Sequence, residues 1–157
     1  MSDIYTNEEY LKKNPSWHEE DSPWKASQIF KLLERNKLSV DTVAEIGCGA
    51  GGVLASLSGR LPPHTRFHGF DISPQAVEMA QKRERPGLTF SCEDALKSPE
   101  RFDLFLIIDV IEHVRDYLGF TEACRAKARY KIFHIPLDIH VSSVLRARFV
   151  VGRRTVG

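Results

Sequence analysis

A surplus of positive or negative charge is missing from this chain. Its 157 residues carry 22 Lys and Arg against 21 Asp and Glu, a formal net charge of +1, so no bulk field favours a nucleic acid or an anionic membrane as partner. Long hydrophobic runs are missing too. No apolar stretch approaches the roughly 20 residues that a membrane-spanning helix needs. The start, Met1-Ser2-Asp3-Ile4-Tyr5, lacks the basic-then-apolar build of a signal peptide. Cysteine is scarce: Cys48, Cys92 and Cys124 are odd in number and widely spaced. That argues against a disulfide framework, and without a C-x-x-C pair zinc has no ligand pattern. Buried free thiols in a cytoplasmic protein are the expectation. No internal repeat or low-complexity linker divides the chain. Its apolar and charged fractions, 42% and 27%, are those of a soluble domain with a real core.

What the chain does have is a glycine turn. Val43-Ala44-Glu45-Ile46 reads as a buried strand, Gly47, Gly49, Gly51 and Gly52 follow it, and a helical pattern opens at Val53-Leu54. Strand, glycine turn and helix is how an α/β sheet brings bare backbone against a ligand at the carboxyl ends of its strands. Two templates fit. Gly47, Gly49 and Gly52 satisfy G-x-G-x-x-G, the dinucleotide fingerprint. Glu45, Gly47, Gly49 and Gly51 satisfy acidic-x-G-x-G-x-G. Glu45 separates them, because a carboxylate just before the turn repels a pyrophosphate. It suits a ligand with positive charge in that place, such as the ammonium and sulfonium of S-adenosylmethionine.

The stretch resembles motif I of the class I S-adenosylmethionine-dependent methyltransferases, and later segments resemble that family's motifs in order, from about Trp17 to Val144. The resemblance places Glu45, Gly47, Cys48 and Gly49 at the methionine end of the cofactor. Asp71, with Ile72 beside it, stands at the tip of the second predicted strand and would accept from the ribose hydroxyls. Ser73 and Pro74 already supply the cap and first turn of the next helix, which leaves Asp71 for the ligand. Asp94 would meet the adenine amino group, with Ala95 against the ring. Asp109-Val110-Ile111-Glu112-His113-Val114 resembles motif IV of members acting on small molecules. It is not the Asn/Asp-Pro-Pro-aromatic motif of enzymes that methylate nucleic-acid amines. Asp109 is assigned to the cofactor. His113 is the candidate base for an acceptor hydroxyl, since imidazole titrates in the useful range. Asp109, Glu112 and His113 would converge on a divalent ion if a helix began at the strand end, with His134 or His140 as a fourth ligand. Many relatives with this motif bind no metal, and none is assigned.

The remaining pattern alternates helices and strands. Ser22 as N-cap and Pro23 as first helical residue open a helix to about Asn36, with Ile29, Leu32 and Leu33 on one face. Trp24 and Lys25 are candidates for a lid over the cofactor, against the plainer alternative of Trp24 packed on the sheet and Lys25 in water. Val53, Leu54 and Leu57 form the inner face of the next helix, closed by Pro62-Pro63. Residues 66–70 make the second strand. Ala76, Val77 and Ala80 line a helix ending in the solvated run Lys82-Arg83-Glu84-Arg85. Leu88–Cys92 is the third strand, and Phe102–Ile108, the most apolar run, is a central one. A helix at Tyr117–Lys127 turns Phe120, Ala123 and Cys124 inward, and residues 130–136 form the fifth strand. Beyond it, Val141, Val144, Leu145 and Phe149 share a helical face in a segment carrying Arg146, Arg148, Arg153 and Arg154.

The expectation is a doubly wound, mostly parallel α/β sheet of five strands. An arm spans 1–22, the S-adenosylmethionine-binding domain 23–150 and a tail 151–157. The family's last two strands are missing, so either the chain is a fragment or a partner, such as a second copy, covers the open sheet edge. The implied function is methyl transfer from S-adenosylmethionine to a small-molecule acceptor, with a hydroxyl preferred. Two alternatives stand beside it: a module that holds S-adenosylmethionine or S-adenosylhomocysteine without turnover, and an NAD-binding oxidoreductase.

Overall fold

The computed structural model describes residues 19–136. A 3-10 turn, Glu19–Asp21, leads into α1 (Ser22–Arg35), followed by β1 (Thr42–Ile46), α2 (Gly52–Ser58), β2 (Arg66–Asp71), α3 (Pro74–Gln81) and β3 (Leu88–Cys92). Then come β4 (Phe102–Ile108), a 3-10 turn at Ile111–His113, α4 (Tyr117–Lys127) and β5 (Ala128–His134). The sheet order is β3-β2-β1-β4-β5, and every neighbouring pair is parallel. This is the expected five-stranded, doubly wound α/β sheet. The sequence of β4 explains its place. Leu104, Leu106 and Ile108 face one core while Phe105 and Ile107 face the other, and a strand with no polar face belongs in a sheet covered on both sides.

Helices α1, α2 and α3 cover one face through Ala26, Ile29, Leu33, Leu54, Leu57 and Val77. On the other face, Phe120 and Cys124 of α4 pack with Phe70, Phe105 and Ile107. The strand order reverses between β1 and β4. Connections leave the sheet in opposite directions there, which opens a crevice at the carboxyl ends of the strands. At the opposite end Asp103 fastens the same pair: its Oδ2 accepts the Asp41 and Thr42 amides, each at 2.9 Å, and the Thr42 hydroxyl at 3.0 Å.

Several local expectations change. The N-cap of α1 is Asp21 rather than Ser22, without a side-chain cap bond, because the preceding 3-10 turn runs straight into the helix. Leu32 is 43% exposed and Ala123 is also exposed; both lie to the side of the stripe their helix buries. Helix α2 ends at Ser58, with Gly59 as its C-cap, before the proline pair. Strand β5 starts at Ala128, directly after α4. Cys48 and Cys124 are buried, but Cys92 is exposed at the end of an edge strand. The run from Lys82 to Arg85 is more than a solvated end: Arg83 Nε donates to Ala50 O at 3.0 Å, Arg85 Nη2 donates to Ala55 O at 2.8 Å, and Glu84 Oε1 accepts the Phe90 amide at 2.9 Å. These bonds tie α3 to the glycine turn, α2 and β3. Among the described residues no helix is long and apolar enough to cross a membrane. The predicted arm to residue 18, Trp17, His140 and the amphipathic segment after Ile139 lie outside the described residues.

Phe90 is wedged between two glycines. A Cβ on Gly69 would stand 2.4 Å from Phe90 Cδ1 and 2.9 Å from Cys48 Sγ, and one on Gly51 would stand 2.6 Å from Phe90 Cζ. The ring is a core residue and has no room to retreat. Gly69→Ala should therefore cost about 1–3 kcal/mol of stability, as overpacking does. Gly59→Ala, whose Cβ meets nothing nearer than 4.0 Å, should be nearly neutral. Urea unfolding of the two variants checks this, and equal midpoints would remove the wedge.

Candidate functional site

Four strand ends build the site. The crevice is a cavity of about 180 Å³ whose wall includes Glu45 near the end of β1 with Gly47, Cys48 and Gly49 after it, Asp71 as the last residue of β2 with Ile72 after it, Asp94 and Ala95 after β3, and Asp109 and His113 after β4. The ten residues expected from the sequence thus surround one space. Ser22 and Lys25 of α1 close it from above the sheet, and Val53, Phe70 and Phe120 supply apolar wall.

The turn after β1 settles the choice between the two glycine templates. Gly47, Gly49 and Gly51 take positive φ, at +68°, +54° and +80°, and Gly52 is the first residue of α2. The positions that demand glycine are those of the acidic-x-G-x-G-x-G pattern. Gly47 is also sterically required, since a Cβ there would lie 2.6 Å from Val110 Cγ2.

Glu45 is 2% exposed, and its Oε2 has no hydrogen-bond partner. Burial, reinforced by the nearby Asp71 charge, pushes its carboxyl from 4.5 up to about 8, although Lys25 and the Leu54 amide pull the other way. Asp71 is not left free as expected. Its Oδ2 accepts the Gly49 amide at 2.9 Å and its Oδ1 the Ser73 amide at 2.8 Å. Burial still raises its carboxyl above the ordinary range. The Ile72 amide also bonds this carboxylate; with about four lone-pair sites, Asp71 both shapes the glycine turn and retains acceptor capacity toward the cavity. Ser73 caps α3 through its hydroxyl, which accepts the Ala76 amide at 3.4 Å, with Pro74 next, as expected. The Cys48 thiol is pushed up by burial and by Glu45 and Asp71, so it is no nucleophile. Asp94 Oδ1 accepts the Leu96 amide at 3.0 Å.

At the tip of β4 the arrangement departs from the sequence reading. Asp109 adopts φ +55°, and its amide donates to His134 O at 3.1 Å. Its Oδ2 receives Lys25 Nζ at 2.6 Å and its Oδ1 meets His134 Nδ1 at 2.6 Å. Burial alone would raise the Asp109 carboxyl, but these two partners hold it below the usual range. Lys25 is therefore no solvated lysine; its side chain is 10% exposed. Trp24 is 57% exposed, its ring roughly perpendicular to that of His134 with centroids 6.3 Å apart, instead of packing on the sheet. A 3-10 turn stands where the α-helix was needed to bring Asp109, Glu112 and His113 together. Glu112 is exposed, and among the described residues no three His, Cys, Asp or Glu side chains are grouped to hold a metal. The one signal for the Lys25 partnership was a lysine beside an aromatic at a helix start, which by itself names no partner.

Comparison with known proteins now adds to this geometry. The family described as Methyltransferase domain matches residues 44–129, more than half of the chain. Over 124 residues the chain is 32% identical to the ubiquinone biosynthesis O-methyltransferase of Paraburkholderia phytofirmans, covering 73% of this chain and 51% of that one. Over 87 residues it is 38% identical to the enzyme of the same name from Cereibacter sphaeroides, covering 52% and 34%. The chain thus spans about half or less of these relatives. Among solved structures, magnesium protoporphyrin IX methyltransferase from Synechocystis with bound SAM superposes with TM-score 0.68 at 16% identity, covering 96% of this chain and 82% of that one. Plantazolicin methyltransferase with SAH gives 0.66 at 18%, covering 80% and 51%, and shares the fold. The chain belongs to the class I S-adenosylmethionine-dependent methyltransferase family.

Glu45 sets a pH dependence of stability. Its folded pKa, about 8, lies above its ordinary 4.5, so the folded state holds a proton that the unfolded chain releases. The protein consequently loses stability as pH rises from about 4.5 to about 8. Glu45→Gln keeps the shape and removes the ionisation. The variant should gain little at pH 4 and be clearly more stable than the parent at pH 8, by urea midpoints. A gap that is the same at both pH values would show that Glu45 does not titrate this way.

Proposed function

We propose that this chain binds S-adenosylmethionine in the strand-end cavity and serves methyl transfer to a small-molecule hydroxyl. One observation carries the cofactor assignment: a buried carboxylate oxygen without a partner, set beside three positive-φ glycines at the end of β1. A buried polar atom is ordinarily paired, and the donor that fits here is a cation brought by a ligand. The donor set around the rest of the cavity suits the same molecule. Gly47 to Gly49 present backbone to the methionine part, Asp71 has acceptor capacity for ribose hydroxyls, and Asp94 stands at the adenine end with Ala95. A pyrophosphate would meet Glu45 and Asp71 instead of donors, which counts against NAD.

When bound, the cofactor supplies a methyl carbon already activated by the adjacent sulfonium. The chain's own work is then to orient the acceptor and relieve its hydroxyl of a proton. His113, on the cavity wall, is the residue proposed to take that proton. Asp109 is held by Lys25 and His134 and positions the β4 tip. The names of the curated relatives, O-methyltransferases of ubiquinone biosynthesis, support an oxygen nucleophile on a small molecule. A module that binds without turnover remains the second reading, because the chain covers only part of each relative.

Calorimetry with S-adenosylmethionine and, separately, NAD tests the cofactor. The first should saturate and the second should not. Glu45→Gln and Asp71→Asn should each weaken binding by about 1–3 kcal/mol. A cation favours the ionised form of Glu45, so at pH 7 binding should release close to one proton, read from buffers of different ionisation enthalpy. Affinity should climb with pH until about 8, and both effects should vanish in Glu45→Gln. Proton release that survives the substitution would move the linkage to another group. His113→Ala should keep cofactor affinity and lower any methylation rate by about 10²-fold or more; a large loss of cofactor affinity would make it a wall residue instead. Release of S-adenosylhomocysteine with an added hydroxyl acceptor separates the enzyme from the silent module.

A further inference from the structure

The glycine turn is fastened from behind. Ala50 lies between two left-handed glycines, Gly49 at φ +54° and Gly51 at φ +80°, and glycine takes either sign of φ with similar ease. Such a turn keeps one shape only if its polar groups are held. Its amides are: Gly47 and Cys48 donate to Phe70 O at 2.8 and 3.0 Å, Gly49 to Asp71 Oδ2 at 2.9 Å, and Gly51 to Cys48 O at 2.9 Å. The Ala50 carbonyl is held by Arg83, whose Nε donates to it at 3.0 Å from 33 positions along the chain. We propose that Arg83 is a positioning residue for cofactor capture, its bond to Ala50 keeping the glycine turn in the shape that receives the methionine end of the cofactor. The assignment rests on the S-adenosylmethionine-binding function proposed above and adds to it a residue that stands off the cavity wall.

Three observations lead to this residue. The first is the start of α2. Its N-cap, Gly51, has no side chain to offer, and the first bond along the helix runs from the Ala55 amide to Gly51 O at 3.0 Å. The Leu54 amide, which in a longer helix would meet Ala50 O, bonds the Glu45 carboxyl instead. The Ala50 carbonyl is left one residue outside the helix, on a residue only 4% exposed, and a buried carbonyl needs a donor. The second is that Arg83 is itself fixed. Its amide donates to Ala80 O at 2.8 Å, and the next two residues are pinned, Glu84 Oε1 by the Phe90 amide at 2.9 Å and Arg85 Nη2 on Ala55 O at 2.8 Å. The third is contact between α3 and the turn: a Cβ on Gly51 would stand 3.1 Å from Ala80 Cβ. A turned-over Ala50 peptide would forfeit the bond to a charged donor, so Arg83 raises the energy of the turn's other shapes. The cofactor then meets a turn already formed, and binding does not have to order it.

The test compares three variants of the full chain, by calorimetry with S-adenosylhomocysteine and by the exchange rate of the Gly51 amide without ligand. Arg83→Met keeps the reach of the side chain and loses the donor. Arg83→Gln restores an N–H at the same number of bonds from the backbone, without the charge. Arg85→Met removes comparable bonds further along α2, to Ala55 O and the Ser58 hydroxyl. Arg83→Met should weaken S-adenosylhomocysteine by about fivefold to tenfold and speed Gly51 exchange, while Arg83→Gln stays within about twofold of the parent in affinity. Arg85→Met should leave affinity and Gly51 exchange unchanged, whatever it does to the urea midpoint. Equal affinity for Arg83→Met and the parent would overturn the assignment, as would an Arg83→Gln as weak as Arg83→Met, since the bond at Ala50 would then not be the cause. So would an Arg85→Met that loses as much affinity, or an Arg83→Met chain that does not fold, because the arginine then supports the fold at large. Failure of the parent to bind S-adenosylhomocysteine refutes the underlying function; a parent that binds, with all three variants binding alike, refutes only the role of Arg83.

Discussion

A carboxylate at the centre of the sheet is the constraint around which this domain is built. Strand β1 lies between two parallel strands and needs apolar side chains on both faces, and Val43, Ala44 and Ile46 comply. Glu45 does not. It is placed opposite Gly69 on one side and Leu106 on the other, where water cannot solvate it. Leaving such a group unpaired costs the free protein stability. A residue that opposes folding and sits in a cavity is the pattern expected where local rules give way to a ligand. The neighbouring features follow from the same place in the sheet. The glycines let the backbone turn away from β1 without side chains, and Asp71 accepts the Gly49 amide and so fixes the turn's path.

The second organising point is the tip of β4. A non-glycine residue at φ +55° is strained by about 1–3 kcal/mol, less for Asp than for most. Asp109 is kept there by three bonds to distant segments: its amide to the end of β5, and its carboxylate to Lys25 and His134. The strained conformation aims the carboxylate back over the sheet, where it joins α1 to β5. Helix α1 is thereby held over the crevice by charge as well as by Ala26, Ile29 and Leu33. Asp109 and Lys25 both stand on the wall of the cofactor cavity, so this ion pair shapes one side of the site.

Much of this was legible in the sequence because the signals were local. β4 reads as a central strand from seven residues with one charge, and β3, β4 and α4 begin and end where the pattern placed them. The glycine turn and the strand-tip acids are each a few adjacent residues, and the topology then gathers them. What failed to show is nonlocal. Nothing near Lys25 announces a carboxylate 84 positions away, and nothing near Arg83 announces the Ala50 carbonyl. Leu32 and Ala123 are exposed for another reason. Spacing defines a helical stripe, but its width depends on how much sheet lies beneath, and among the described residues β5 is the last strand on that side. A shared metal site at Asp109, Glu112 and His113, which was not assigned, would need an α-helical turn; with Asp109 left-handed and a 3-10 turn following, Glu112 is exposed while Asp109 and His113 stay on the cavity wall.

The electrostatics of the crevice argue for a cationic ligand independently of any motif. Glu45, Asp71 and Asp109 line it from three adjacent strand ends, against one lysine among the described residues, Lys25. Lys25 is already committed to Asp109, and Asp71 is satisfied by backbone amides without being neutralised. Each acid raises the energy of charging the next, and for Glu45 the Asp71 charge is the largest influence after burial. A ligand bearing phosphates would add negative charge to that set and gain few donors in return. A ligand bearing an ammonium and a sulfonium relieves it, and relieves Glu45 most, since that carboxylate has furthest to come back toward its ordinary acidity. Binding energy of this kind is not spread evenly over contacts. In the proposed site it is concentrated at Glu45, the buried carboxyl with an unpartnered oxygen, so that the proposed cofactor contact would also relieve the cost of burying that group.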